Sequence, residues 1–154
     1  MECLSCKSIS GQKRISPGPI IFEGRSWLVE HAYPCAMKGW LVLVLRRHAE
    51  ALHELSRDEF EELAELQERF ARLLRHELGS EKEYSACFAE AEGFHHIHFH
   101  LIAKPRDLPD HLTGTRIFAM LKPEEREPVP EAEMAEFCTT LRDKVARHED
   151  NGGE

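Results

Sequence analysis

The stretch His96-Ile97-His98-Phe99-His100-Leu101-Ile102 alternates imidazole with apolar side chains, and its reading governs that of the whole chain. Successive side chains of a strand point to opposite faces. An extended segment over residues 94–103 therefore sends His96, His98 and His100 one way and Ile97, Phe99 and Leu101 into a core. The imidazoles then stand about 7 Å apart, twice the rise per residue, a spacing that packing alone does not require. Ten histidines occur in 154 residues, and four of them fall within residues 95–100. On residue type alone the cluster is the polar face of an edge strand, a three-histidine metal centre, or a catalytic row, since neutral imidazole is both a metal ligand and a nucleophile.

Outward from the histidines, the pattern predicts an α+β domain: a mostly antiparallel sheet of about five strands, one long helix packed on it, and a C-terminal helix. Residues 20–23 and 26–31, separated by Gly24-Arg25, read as a hairpin. The apolar run Trp40-Leu41-Val42-Leu43-Val44-Leu45 has the length of a buried central strand. Residues 84–89 form the strand before the histidines, joined to theirs by a short loop, Glu90-Ala91-Glu92-Gly93. The long helix is predicted over residues 57–78: Ser56 and Glu59 make a capping box, Gly79 suits the residue after the helix, and Phe60, Leu63, Leu66, Phe70, Leu73 and Leu74 recur at helical spacing. A shorter helical turn is predicted over residues 49–55, an irregular arm over 7–19, and a polar tail beyond Lys104-Pro105. The second helix spans about 131–148, with Met134, Phe137, Leu141 and Val145 on one face, and residues 150–154 are expected to fray.

Composition bounds the function. The net charge of −8 opposes broad binding to a nucleic-acid backbone, which calls for a basic face. No apolar run approaches the 18 residues of a membrane span, and the first residues lack the apolar stretch of a signal peptide, so a cytoplasmic protein is expected. Five cysteines, an odd number, point to reduced thiols or metal ligands, and only Cys3 and Cys6 have ligand-like spacing.

The histidine stretch is similar, without mismatch, to the signature of the histidine-triad superfamily: His-apolar-His-apolar-His followed by two apolar residues. The Cys-x-x-Cys near the start, the hairpin, the run ending in Arg46-Arg47-His48 and the long helix resemble the family in their order, over residues 3–105, about two-thirds of the chain. The resemblance implies a domain at residues 1–105 and an extension with a helix at 106–154 packed on it. It also implies a hydrolase or nucleotidyl transferase acting on the α-phosphorus of a nucleoside phosphate derivative through a nucleotidyl-histidine intermediate. His98 is then the nucleophile, and His100 contacts the phosphoryl oxygens and assists the leaving group. A catalytically weak nucleotide-binding module is the alternative, and a hydrolase using the three histidines as metal ligands is a third. A homodimer binding a small nucleotide-type substrate is also implied.

One branch of the superfamily pairs its two cysteines with two histidines, so the resemblance implies a structural zinc on Cys3, Cys6, His48 and His96. The chain departs from the family at three places. Gly39-Trp40 stands where Gly-His is usual, Glu30-His31-Ala32-Tyr33 lacks the ribose-binding Asp, and Ala91-Glu92-Gly93 replaces Gly-Gln-Ser/Thr. Glu30 or His31 is a candidate substitute for that Asp, and Trp40 either stacks on a base or fills core space.

Overall fold

Five strands, β1 (Phe22–Glu23), β2 (Trp27–His31), β3 (Trp40–Leu45), β4 (Lys82–Ala86) and β5 (His98–Lys104), form one sheet in the computed structural model, which describes residues 2–151. Their order is β1-β2-β3-β5-β4, and every neighbouring pair is antiparallel. The apolar run at residues 40–45 is the central strand β3, buried at five of its six positions. A strand covered on both faces has no place for polar alternation, which is why this one reads as a continuous apolar run.

The long helix α2 (Arg57–Leu78) begins and ends where its capping residues place it. Ser56 accepts the Glu59 N–H, the Glu59 carboxylate accepts the Ser56 N–H, and Gly79 closes the helix at φ 63°. Leu63, Leu66, Phe70, Leu73 and Leu74 are buried, whereas Phe60 is exposed, against the sequence expectation. At 100° per residue the buried stripe runs instead through Glu59 and Glu62 in the first turns. Both carboxylates have work there: Arg47 grips Glu59 at 2.6 and 2.9 Å, and Glu62 accepts the Ser26 N–H at 2.8 Å.

Several expectations are corrected. The arm is helical at its start, α1 (Leu4–Ile9), and irregular beyond it. The turn at 49–55 is a single 3-10 turn, Leu52–Glu54. The strand expected over 94–103 begins only at His98, because the β3 ladder it pairs with ends at Val44. Residues 87–97 thus form a longer connection than the short loop expected. The tail after Pro105 is not merely polar: Gly114–Leu121 is a 3-10 run with Ile117 buried. The second helix, α3 (Glu131–Asn151), buries Met134, Cys138, Leu141 and Val145, and Lys144 joins it to Glu77 of α2 at 2.6 Å. Of the stretch expected to fray, Asp150 and Asn151 belong to α3, and residues 152–154 lie outside the described residues. No helix among the described residues is long and apolar enough to cross a membrane.

His31 fixes the turn between β2 and β3. Its Nδ1–H donates to the Ala32 carbonyl at 2.8 Å, and its Nε2 accepts the backbone N–H groups of Gly39 (2.9 Å) and Trp40 (3.2 Å). Gly39 holds φ 96°, and a Cβ there would meet Leu78 at 2.5 Å, so the turn needs this glycine. Burial pushes His31 down to about 4, against the smaller opposing effect of the Ala32 carbonyl. Its folded pKa thus lies below the unfolded value near 6.5, so its contribution is complete above about 6.5 and fades as pH falls towards 4. We expect His31→Gln to be less stable than the wild type at pH 7.5 in urea unfolding. The gap should narrow by up to roughly 3 kcal/mol on acidification to pH 4, and a pH-independent gap would contradict this.

Candidate functional site

The three alternating histidines separate into two environments. His96 precedes β5 in a bend and is fully buried. Its Nε2–H donates to the Leu45 carbonyl at 2.5 Å, which turns Nδ1 toward the N-terminal cysteines. His98 and His100, on β5, line a cavity instead. A carbonyl oxygen only accepts, so these partners fix the tautomers.

Nδ1 of His96 lies 3.6 Å from Cys3 Sγ and 3.5 Å from Cys6 Sγ, and Nδ1 of His48 lies 3.5 Å from Cys6 Sγ. All four donor atoms fall within 4.8 Å of one another. Bonds of about 2.3 Å to sulfur and about 2.05 Å to nitrogen at the tetrahedral angle put S and N about 3.55 Å apart, so this set can hold a metal ion. The outer ring nitrogens are also engaged: His96 Nε2 on Leu45, and His48 Nε2 at 3.1 Å from the Glu50 carboxylate. Such contacts orient imidazole ligands. Burial and the adjacent Cys3 raise the Cys6 thiol to about 11, so two thiolates side by side call for a cation between them. Cys3 caps α1 and Cys6 lies within it, and the helix's Leu4 N–H bonds the Gly93 carbonyl at 3.0 Å. Gly93 takes φ 82°, and a Cβ there would meet Leu4 at 2.8 Å. The departure at Ala91-Glu92-Gly93 therefore seats the arm that carries Cys3 and Cys6.

The cavity of about 470 Å³ opens between α1, β2, β3, residues 88–94 and the 3-10 run. His98 Nδ1–H donates to the His96 carbonyl at 2.8 Å, leaving the Nε2 lone pair unengaged on the cavity side. Burial lowers the pKa of His98, and the His96 carbonyl opposes this, so the ring is neutral near pH 7. The His100 ring stands 5.0 Å from that of His98. Its Nδ1 accepts the indole N–H of Trp40 at 3.0 Å, and burial, with His98 beside it, pushes it down to about 4. Trp40 is fully buried, so it fills core space and also sets this ring. Among the described residues the group able to hold a metal takes His96 but neither His98 nor His100, whose Nδ1 atoms are engaged by the His96 carbonyl and Trp40, which opposes the reading of three histidines around a metal.

Glu30 and His31 both line the cavity, yet neither is free. Arg14 pairs with the Glu30 carboxylate, and His31 holds its turn through both ring nitrogens. Phe118 was not anticipated from the sequence. Its ring packs 4.9 Å from His100, 5.0 Å from Trp40 and 5.7 Å from the exposed Phe88. The apolar group Ile117-Phe118-Ala119-Met120-Leu121, set in an otherwise polar tail, was the signal that could have found it.

Residues 2–112 match the model of the family described as scavenger mRNA decapping enzyme C-term binding, a histidine-triad-like domain. The chain belongs to this family. Its fold is likewise that of several histidine-triad structures. A zinc-bound histidine triad family protein from Mycobacterium smegmatis is 20% identical, with 97% of this chain and 96% of that one aligned at a TM-score of 0.67. A hypothetical histidine triad nucleotide-binding protein from Sulfolobus tokodaii is 16% identical over 94% and 93% of the two chains, at 0.68. A histidine triad protein from Sinorhizobium meliloti is 21% identical over 82% and 89%, at 0.65. At these identities the likeness establishes the fold. No curated protein matches the chain in sequence.

Proposed function

We propose that this histidine-triad protein is a nucleotide hydrolase or nucleotidyl transferase that acts at the α-phosphorus of a nucleoside phosphate derivative, with His98 as nucleophile. The observation that carries the reading is the bond from His98 Nδ1–H to the His96 carbonyl, which commits the opposite nitrogen to the cavity as a lone pair. Nε2 forms a bond to phosphorus, and the bond from phosphorus to the leaving group breaks, the electron pair departing with that group. Water or another acceptor then attacks the same phosphorus, and the N–P pair returns to Nε2. The proton released by the acceptor passes to solvent. A neutral nucleophile needs no separate base. The Nε2–H of His100 donates to a phosphoryl oxygen, where charge stabilisation contributes most.

Cys3, Cys6, His48 and His96 hold one structural zinc in this reading, a donor set whose spacings suit a closed tetrahedral site. Such an ion supplies a fixed point: it ties α1 to the sheet and anchors the residue whose carbonyl orients His98. The proposal takes residues 1–105 as the domain and 106–154 as an extension on it, in keeping with Phe118 beside His100. It also includes a homodimer, with β4 at the sheet's edge, and a cytoplasmic setting, which suits five free thiols. The substrate is a small nucleotide. A second reading, a catalytically weak nucleotide-binding module, is favoured by the 87–97 connection, whose Gly93 carbonyl is spent on α1. Nucleotide binding without turnover would select it.

Metal analysis should return one zinc per chain, with absorption fine structure giving two sulfur ligands at about 2.3 Å and two nitrogens at about 2.0–2.1 Å. Cys6→Ser should lose tight metal binding and melt several degrees lower. A sulfur-free coordination shell would contradict the assignment.

His98→Ala should retain metal and melting temperature while its single-turnover rate falls by roughly 10³-fold or more. His96→Ala should lose metal, stability and activity together, because a structural ligand couples to folding. A near-wild-type rate in His98→Ala would remove the mechanism.

A further inference from the structure

We infer that Trp40 acts as a positioning residue that makes His100 a neutral Nε2–H donor, and so restricts the site to substrates whose leaving group departs without taking a proton, the phosphate and polyphosphate class. The inference deepens the nucleotidyl-transfer reading and rests on it.

An indole N–H donates and never accepts. The 3.0 Å contact from Trp40 Nε1 to His100 Nδ1 therefore places the ring's lone pair on Nδ1 and its single proton on Nε2. A second proton on Nδ1 would set two N–H groups against each other where Trp40 has no solvent exposure and Phe118 packs on both rings. His100 Nε2 has no hydrogen-bond partner in the protein, and it is not sealed, since the sealed, unpartnered side-chain atom among the described residues is Ser8 Oγ. It is thus free to meet a ligand in the cavity that His100 lines.

A neutral imidazole N–H stabilises charge on a phosphoryl oxygen but is far too weak an acid to hand its proton over near pH 7. No other group on the cavity replaces it. His98 faces His100 from the same strand, with its own proton held by the His96 carbonyl. From β2, Glu30 is engaged by Arg14, and His31 is used by its turn. The Tyr33 hydroxyl donates to the Val129 carbonyl at 2.8 Å, and Glu90 stands exposed on the connection before β5. Burial, with His98 beside it, pushes His100 down to about 4, in the same direction as the tautomer requires. When His98 Nε2 bonds to phosphorus, the departing oxygen must carry away the electron pair as a stable anion. A phosphate does so, whereas an alkoxide or alkylamide does not.

Two measurements on the full chain test this. In histidine-¹⁵N-labelled protein, His100 should show a pyridine-type Nδ1 and a pyrrole-type Nε2 from pH 8 to 5, and Trp40→Phe should mix the two tautomers. A pyrrole-type Nδ1 in the wild type overturns the inference. The second measurement is single-turnover adduct formation on a series of nucleoside 5′-aryl phosphates together with an alkylamine phosphoramidate. The rate should fall roughly three- to tenfold for each unit of leaving-group pKa, and the phosphoramidate should be the poorest member. Trp40→Phe should flatten that slope. If the variant fails to fold, the wild-type tautomer and slope decide. A flat wild-type slope with good turnover overturns the inference and leaves nucleotidyl transfer standing. No adduct with any ester removes both.

Discussion

The hydrogen bond from His98 Nδ1 to the carbonyl of His96 is the contact on which the account turns, because it joins the two halves of the molecule's chemistry. On one side of it, the His96 side chain belongs to the Cys3-Cys6-His48-His96 cluster. On the other, the same residue's main chain fixes which nitrogen of His98 faces the cavity. Anything that holds His96 in place therefore holds the tautomer of His98, the proposed nucleophile. The Leu45 carbonyl under His96 Nε2 extends the chain of contacts to the end of the central strand.

The same principle recurs across the site. His31, His96, His98 and His100 each have a partner that can only donate or only accept, so each ring has one arrangement of its proton. Burial keeps these rings neutral, and neutrality makes the arrangement meaningful, since a protonated imidazole would donate from both nitrogens. The sheet thus presents a lone pair at His98 next to an N–H at His100, which the proposed mechanism uses as nucleophile and oxyanion donor. Trp40 and Phe118 pack against His100, which lines the cavity.

Much of this was legible from residue patterns. The limits of α2 follow from Ser56, Glu59 and Gly79, whose capping roles are local. The central strand follows from an uninterrupted apolar run of strand length. What period two could not reveal is that His96 leaves the strand: the alternation continues through residue 96, but the ladder stops at the Val44–His98 pair, and only tertiary pairing sets that limit. Phe60 misled for a related reason. Glu59 and Glu62 take the buried stripe through specific partners at Arg47 and Ser26, and those lie far off in sequence. The four-residue cluster was reached through family resemblance, since no spacing rule links His48 to Cys3. The Trp40–His100 bond and the Phe118 wall join residues 60 and 18 positions apart, and they emerge only once the sheet and the tail are in place.

The central claim is that Nε2 of His98 is the atom that bonds to phosphorus. The most direct measurement is acid-free quenching of the wild-type protein with a slowly turned-over nucleoside phosphate ester, followed by fragmentation mass spectrometry and ³¹P–¹⁵N coupling in labelled protein. The account predicts one nucleotidyl group per chain, on His98, with phosphorus coupled to Nε2 and Nδ1 still protonated. A nucleotidyl group on His95 or His100, or coupling to Nδ1 of His98, would contradict it.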